Sequence, residues 1–376
     1  MLAPDIKGTC DPAFAGVADA FREGFARRGE IGAAVALVRD GELVVDLWGG
    51  VRSPRTGAPW VRGTTANVWS TTKGVVATCF AMLADRSLID YEARVASYWP
   101  AFAACGKDEV TVAQLLSHQG GLCGFDTPAS LEDYLNQPHA EARLAAQRPL
   151  WAPSSACGYH ALSFGPLADG LFRRIEGRPL RAFVAAELRG RLGLELAIGL
   201  PSDWRDLAAD LIAPPDMSSA DAGPELSPIQ RAALANPAFD PAVANGTEWR
   251  SASLPSANGF ATARGLARLY GALAQGGRIG DHRLLGAAAL EQAKAVRIDG
   301  PDLVLGLRAR WASGYLRNVH GLYGASERAF GHSGWGGSFA FADPDARLAL
   351  AYVPNRMGSS LVGEPRATAL VAAAYG

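Results

Sequence analysis

The run Trp69-Ser70-Thr71-Thr72-Lys73-Gly74 sets a serine hydroxyl three residues ahead of a lysine amine. Side chains three apart share one face of a helix, so a helix starting here brings the Ser70 hydroxyl and the Lys73 amine within hydrogen-bond reach, as a serine-lysine nucleophile requires. The apolar spacing of Val75, Val76, Cys79, Phe80, Met82 and Leu83 predicts that helix, with Ser70 at its start. Lysine is scarce: Lys7, Lys73, Lys107 and Lys294 are the only four, which lowers the chance of an accidental match. Taken alone, the run also fits an ordinary helix start capped by Ser70, with Lys73 in solvent.

A hydrolytic serine needs partners, and three further segments offer them. In Cys157-Gly158-Tyr159-His160-Ala161, Tyr159 follows a glycine in a polar, turn-rich stretch ahead of a helical pattern, where its phenol can project into a cleft. The bland alternative is a half-buried core tyrosine. In Gly331-His332-Ser333-Gly334-Trp335-Gly336-Gly337-Ser338, four glycines within seven residues allow close approach of main chain to a ligand, and a free amide there suits an oxyanion. Its bland alternative is a glycine-rich turn. Leu115-Leu116-Ser117-His118-Gln119-Gly120-Gly121-Leu122 reads as a structural helix end closed by glycine. His118 and His160 read as structural histidines, and Cys157 as a buried thiol.

These groups have to be positioned by elements at both ends of the chain. Phe14, Val17, Phe21 and Phe25 predict an opening helix over residues 12 to 28. Gly32 to Asp40 and Glu42 to Trp48 read as a hairpin turning at Asp40-Gly41, and Gly337 to Ala342 with Arg347 to Val353 as a second. Helical patterns cover 77 to 98, 128 to 146, 161 to 195, 261 to 276 and the last residues from Arg366. Pro201, Pro214, Pro215, Pro224, Pro228, Pro237, Pro241 and Pro255 predict a long ordered loop between about 200 and 257, able to wall a cleft. The expected fold class is α/β (α+β): residues 1–85 and 265–376 build an antiparallel sheet flanked by helices, and residues 86–264 form an inserted, mostly helical domain.

With 376 residues, 49% of them hydrophobic and 19% charged, the chain is a soluble globular protein with a sizeable core. A net charge of -1 and scattered arginines predict no attraction to nucleic acid or to a membrane surface. The opening residues lack the apolar core of a secretory signal, and no apolar run reaches membrane-spanning length, so a cytoplasmic location is expected. Five cysteines, Cys10, Cys79, Cys105, Cys123 and Cys157, form no C-x-x-C pair and read as small buried hydrophobes. No G-x-S-x-G elbow, H-E-x-x-H pair or G-x-x-x-x-G-K-[ST] loop occurs, so αβ-hydrolase, zinc and nucleotide chemistry find no support; no metal and no cofactor are expected.

Taken together, the segments resemble the serine β-lactamase and penicillin-binding-protein superfamily, in the branch that holds class C β-lactamases, D-aminopeptidases and family VIII carboxylesterases. The resemblance runs from the first hairpin to the final helix. It equates Ser70 and Lys73 with the family's Ser-x-x-Lys, Tyr159-His160-Ala161 with its Tyr-x-Asn, and His332-Ser333-Gly334 with its Lys-Thr-Gly. Leu-Leu-Ser-His-Gln-Gly-Gly-Leu is similar to the segment between the first two motifs.

Two departures bear on substrate. Ala161 replaces the asparagine whose amide holds an amide side chain. His332 replaces the lysine that attracts a lactam carboxylate, and histidine is mostly neutral at pH 7. Both departures, with Trp335 beside the nucleophile, are similar to family VIII esterases. The resemblance therefore implies a hydrolase of short-chain carboxylic esters acting on a small-molecule substrate. Ser70, Lys73 and Tyr159 would be catalytic, the Ser70 and Trp335 amides would form the oxyanion hole, and His332, Ser333, Gly334 and Trp335 would bind substrate. A β-lactamase, a D-amino peptidase, an acyltransferase, a linear-amide hydrolase and a non-catalytic ligand-binding relative are the alternatives. A lysine base needs its pKa brought from about 10.4 to about 7 or 8 by burial or a nearby cation. The other assignment keeps Lys73 charged and makes a Tyr159 phenolate the base, and the sequence leaves both open.

Overall fold

The structure, a computed structural model, describes residues 5–214 and 226–376. Met1 to Pro4 and the segment carrying Pro215 and Pro224 lie outside the described residues. Both chain ends meet in one ten-stranded antiparallel sheet. Its order runs Lys7–Cys10, Glu42–Ser53, Gly32–Arg39, Leu348–Pro354, Phe339–Asp343, Phe330–Ser333, Leu316–Arg317, Arg308–Trp311 and Ile298–Pro301, with Ala58–Pro59 paired to the side of Glu42–Ser53. The expected fold class is therefore observed.

The central strands are apolar at almost every position because both faces of the sheet are covered. Ala34, Ala36 and Val38 face one core together with the helices Thr71–Asp85 and Ala263–Ala274, while Ala33, Val35 and Leu37 face a second core with Ala15–Arg27 and Pro365–Ala373. Successive side chains on a strand point to opposite faces, so one strand serves both cores. The first hairpin closes at Asp40 and Gly41, whose φ values of 53° and 87° give the left-handed pair that matches strand twist. In the second, Asp343 Oδ1 accepts from the amides of Asp345 and Ala346 at 2.9 and 3.1 Å and fixes the turn.

Between the sheet halves the chain is mainly helical, and the helices are shorter than their patterns predict. The helix after Ser70 spans Thr71–Asp85 and ends before a turn in which Ser87 takes a φ of 57°, so the pattern beyond it continues only as the single turn Val95–Tyr98. Residues 128 to 146 split into Leu131–Leu135 and Gln137–Ala146 at Asn136, whose side chain caps the second helix. The next pattern breaks at Gly177, in a left-handed C-cap after Phe164–Glu176, and resumes as Leu180–Phe183 and a wider turn over Val184–Gly190.

The proline-rich region is not the long loop expected. It holds the short helical segments Ser202–Leu207, Pro228–Leu234, Pro241–Asn245 and Thr247–Ser251. Pro228 and Pro241 each occupy a first-turn position behind a capping residue, Ser227 and Asp240, where a missing N–H costs nothing. Proline starts these helices rather than breaking them. Of the five thiols, Cys79, Cys123 and Cys157 are buried as expected, whereas Cys105 is exposed and Cys10 partly so, since both lie at the molecular surface beside short turns. No helix among the described residues is long and apolar enough to cross a membrane.

Candidate active site

Ser70 begins the helix Thr71–Asp85, and every residue from Thr71 to Leu83 is buried. That helix runs through the interior, so its first turn is held from all sides. Trp69 just before it adopts a φ of 46°, an uncommon conformation for a bulky side chain. Two sets of contacts hold it there. Its ring packs on Trp249 and Trp335 with centroids 5.2 and 5.1 Å away. Thr72 Oγ1 donates to the Trp69 carbonyl at 2.5 Å and accepts from the Gly259 amide at 2.9 Å. The sharp entry points the Ser70 hydroxyl out of the core toward the cleft, the one half-exposed residue at the helix start.

The Lys73 Nζ lies 3.0 Å from Ser70 Oγ and donates to the carbonyls of Ala161 and Ser256 at 2.8 and 2.9 Å. Its side chain is fully buried, and burial alone pushes the amine well below its usual value of 10.5. The neighbouring cation entertained from the sequence is not needed. Tyr159 comes from the loop before Phe164–Glu176, and its Oη donates to Ser70 Oγ at 2.6 Å. Burial drives this phenol upward, outweighing the favourable bond to Ser70, so it stays protonated as a donor. The three residues that the motif spacing singled out thus converge on one oxygen.

The glycine-rich segment forms the opposite wall. Phe330–Ser333 leads into a turn in which Gly334 donates to the Ser338 carbonyl at 2.7 Å. Ser338 Oγ donates to the Val68 carbonyl at 2.8 Å and meets Thr71 Oγ1 at 3.1 Å, tying this turn to the segment that carries Ser70. Among the described residues, neither the Ser70 nor the Trp335 amide gives its hydrogen to another protein group. Gly334 itself is buried under the turn: a Cβ there would sit 2.3 Å from the Val68 carbonyl oxygen, so its part is close packing. His332 is buried as well, its ring Nδ1 2.8 Å from the Ser333 carbonyl, and burial pushes the imidazole down to about 3, so it is neutral at pH 7. Ser333 Oγ pairs with Tyr323 Oη at 3.3 Å.

Behind Tyr159 lies a group the sequence did not reveal. Asp302 and Trp311 arrive from the far edge of the sheet, and the indole of Trp311 stacks on the Tyr159 ring with planes 7° apart. His118, expected only to end a helix, takes the left-handed conformation itself with a φ of 66° and puts its ring edge-on to Tyr159 at 5.1 Å. His160 is buried and neutral, lowered to about 4 by burial, with Nδ1 2.7 Å from the Gly158 carbonyl.

Ser70 and Tyr159 open onto a cavity of about 730 Å³ walled by Trp69, Leu162, Leu234, Phe239 and Trp335. No lysine, arginine or histidine lines it among the described residues, and its one ionisable carboxylate is Asp240. Phe239 and Asp240 belong to the proline-rich region, which does wall the cleft, though as capped helical turns. Such an arrangement can attack an acyl carbon and shelter a neutral apolar substituent.

Comparison with known proteins gives the family and the fold. Residues 17–374 match the family described as Beta-lactamase. A solved family VIII carboxylesterase is 42% identical and superposes with a TM-score of 0.93, with 99% of each chain covered. A penicillin-binding-protein homologue from Caulobacter crescentus is likewise 42% identical, with a TM-score of 0.92 and 99% coverage of both chains. Among curated proteins, the esterase/beta-lactamase LipL of Mycobacterium tuberculosis is 38% identical over 95% of this chain and 84% of its own. With a family match from the first helix to the last and its serine, lysine and tyrosine gathered at one oxygen, the chain belongs to the beta-lactamase family.

Proposed function

We propose that the protein is a serine carboxylesterase that hydrolyses neutral esters through an acyl-enzyme on Ser70. The observation that carries this reading is the Ser70 hydroxyl held between Lys73 and Tyr159 at the mouth of an apolar cavity that no basic side chain lines among the described residues. The names of the relatives, a family VIII carboxylesterase and an esterase/beta-lactamase, support the same class.

In this mechanism the neutral Lys73 amine takes the Ser70 proton as Oγ attacks the ester carbonyl. The tetrahedral oxyanion is stabilised by the Ser70 and Trp335 amides, which have no hydrogen-bond acceptor among the described residues. The alcohol leaves with a proton passed through the Tyr159 phenol, which bonds Ser70 Oγ and is replenished from Lys73. Water then attacks the acyl-enzyme with Lys73 again as base; Tyr159 returns a proton to the departing Ser70 Oγ and is replenished by the proton Lys73 took from water, which restores the starting state. Burial favours Lys73 rather than a Tyr159 phenolate as the base, because it stabilises the neutral form of both groups.

Substrate choice follows from the cavity wall. A β-lactam carries a carboxylate that wants a cation, and His332 is neutral here while Asp240 is of the wrong sign. A volume of about 730 Å³ exceeds the needs of a butyryl group and lies in the range of sites for drug-sized molecules, which extends the proposal from short-chain to bulkier neutral esters. Hydrolysis of a p-nitrophenyl ester series, from acetate to benzoate, measured alongside nitrocefin tests this. A kcat/KM for the esters well above that for nitrocefin is expected; a dominant lactam rate would replace the reading with a β-lactamase.

A further inference from the structure

Asp302 sits at the end of the strand Ile298–Pro301, is 2% exposed, and its carboxyl group accepts four hydrogen bonds. A buried carboxyl group is tolerated only when bonded in this way. Two of the four bonds are local: Oδ1 accepts from the amides of Val304 and Leu305, both at 2.9 Å, and shapes the turn. The other two leave the turn and lead to the same residue. Oδ1 also accepts from the Tyr159 amide at 3.0 Å, and Oδ2 accepts from Trp311 Nε1 at 2.9 Å. Trp311 in turn lies face to face with the Tyr159 ring, centroids 5.7 Å apart.

We infer that Asp302 is a positioning residue for the Tyr159 phenol, fixing its backbone origin through the amide and its ring plane through Trp311. The inference rests on the reading of Tyr159 as a proton-transfer group. A main-chain bond from the Leu303 amide to the Cys157 carbonyl at 2.9 Å secures the same approach of the two segments. With Trp311 stacked on one face and His118 packed beside both rings, 4.4 Å from Trp311 and 5.1 Å from Tyr159, the ring is held from that side, and Tyr159 Oη lies 2.6 Å from Ser70 Oγ. Proton transfer to a serine oxygen depends on that separation, and small misplacements are expensive in rate. The negative charge of Asp302 also adds to burial in keeping the phenol protonated.

The test is a double-mutant cycle between Asp302→Asn and Tyr159→Phe, read as kcat and KM for p-nitrophenyl butyrate. Asparagine keeps an acceptor for the amides but turns an NH₂ toward Trp311 Nε1–H, donor against donor. Asp302→Asn is expected to lower kcat by about 10- to 100-fold with KM changed far less, and to cause almost no further loss in the Tyr159→Phe background. An unchanged kcat, or the same fold loss in both backgrounds, would overturn the inference, because a merely structural role acts whether or not the phenol is present. If Asp302→Asn does not fold by near-UV circular dichroism, Trp311→Phe, which keeps a stacked ring but lacks the N–H, is read through the same cycle with the same two outcomes. Ser70→Ala run in parallel separates the two readings: turnover surviving it sinks the esterase mechanism, whereas its loss alongside an unaffected Asp302→Asn sinks only the positioning role.

Discussion

Lys73 Nζ meets Ser70 Oγ at 3.0 Å while its other partners are two carbonyl oxygens, those of Ala161 and Ser256. A neutral amine has two N–H groups and one lone pair, and this environment offers two acceptors and one hydroxyl. With the amine neutral, as the proposed mechanism requires, the Ser70 proton points at Lys73 while the Tyr159 phenol donates to the serine oxygen. In that protonation state all three groups are satisfied without a charge among them.

Catalysis should therefore follow deprotonation of Lys73. Since burial holds the amine well below 10.5, kcat/KM is expected to rise with pH along a single acid limb and to be flat before the ordinary lysine range is reached. Lys73→Arg, which keeps a cation that cannot deprotonate, should lose about 100-fold or more in kcat. Stability should rise with pH as well. The folded amine resists charging, so its penalty is complete below the folded pKa and fades as pH rises toward 10.5. Lys73→Met should raise Tm more at pH 6 than at pH 10, and equal gains at both would contradict the neutral amine.

Acid should weaken the fold through its histidines. His332, lowered to about 3, His160, lowered to about 4, and His118, also well below 6.5, are all buried neutral, with burial the leading cause in each. Below pH 6.5 the unfolded chain takes up protons that the folded one refuses, so stability falls as pH drops toward 4. Each histidine contributes up to about 1.4 kcal/mol per pH unit over that window. Urea unfolding at pH 7 and pH 5 checks this, and His160→Gln should flatten the dependence by one proton's worth.

Gly74, directly after the lysine, is predicted to be required by packing. A Cβ there would lie 1.8 Å from the Oη of Tyr270, a buried hydroxyl with no hydrogen-bond partner among the described residues. Gly74→Ala should destabilise by about 1–3 kcal/mol. Tyr270→Phe removes the obstructing atom and should recover most of that loss; an unrepaired double variant would show that the cost arises elsewhere.

The sequence made the proposed reacting atoms visible because they are set by local spacing. Ser70 and Lys73 share a helix turn, Tyr159 follows a glycine, and the proposed oxyanion segment is marked by Gly331, Gly334, Gly336 and Gly337. The hairpin at Asp40-Gly41 was legible for the same reason. What escaped is nonlocal: Asp302 and Trp311 lie some 150 residues from Tyr159 in an unremarkable stretch, and only sheet pairing brings them behind it. Pro228 and Pro241 misled because proline breaks a helix interior but starts a helix well, and only the capping bonds of Ser227 and Asp240 distinguish the two. Helix ends such as Asn136 and Gly177 were blurred because apolar periodicity continues across a break whenever both helices face one core.

The central claim is that Ser70 is the nucleophile, and covalent labelling tests it most directly. Protein treated with a fluorophosphonate and digested for mass spectrometry should carry a single adduct on the Ser70 peptide, absent in Ser70→Ala and slowed in Lys73→Arg. No adduct, or one on another serine that persists in Ser70→Ala, would contradict the account.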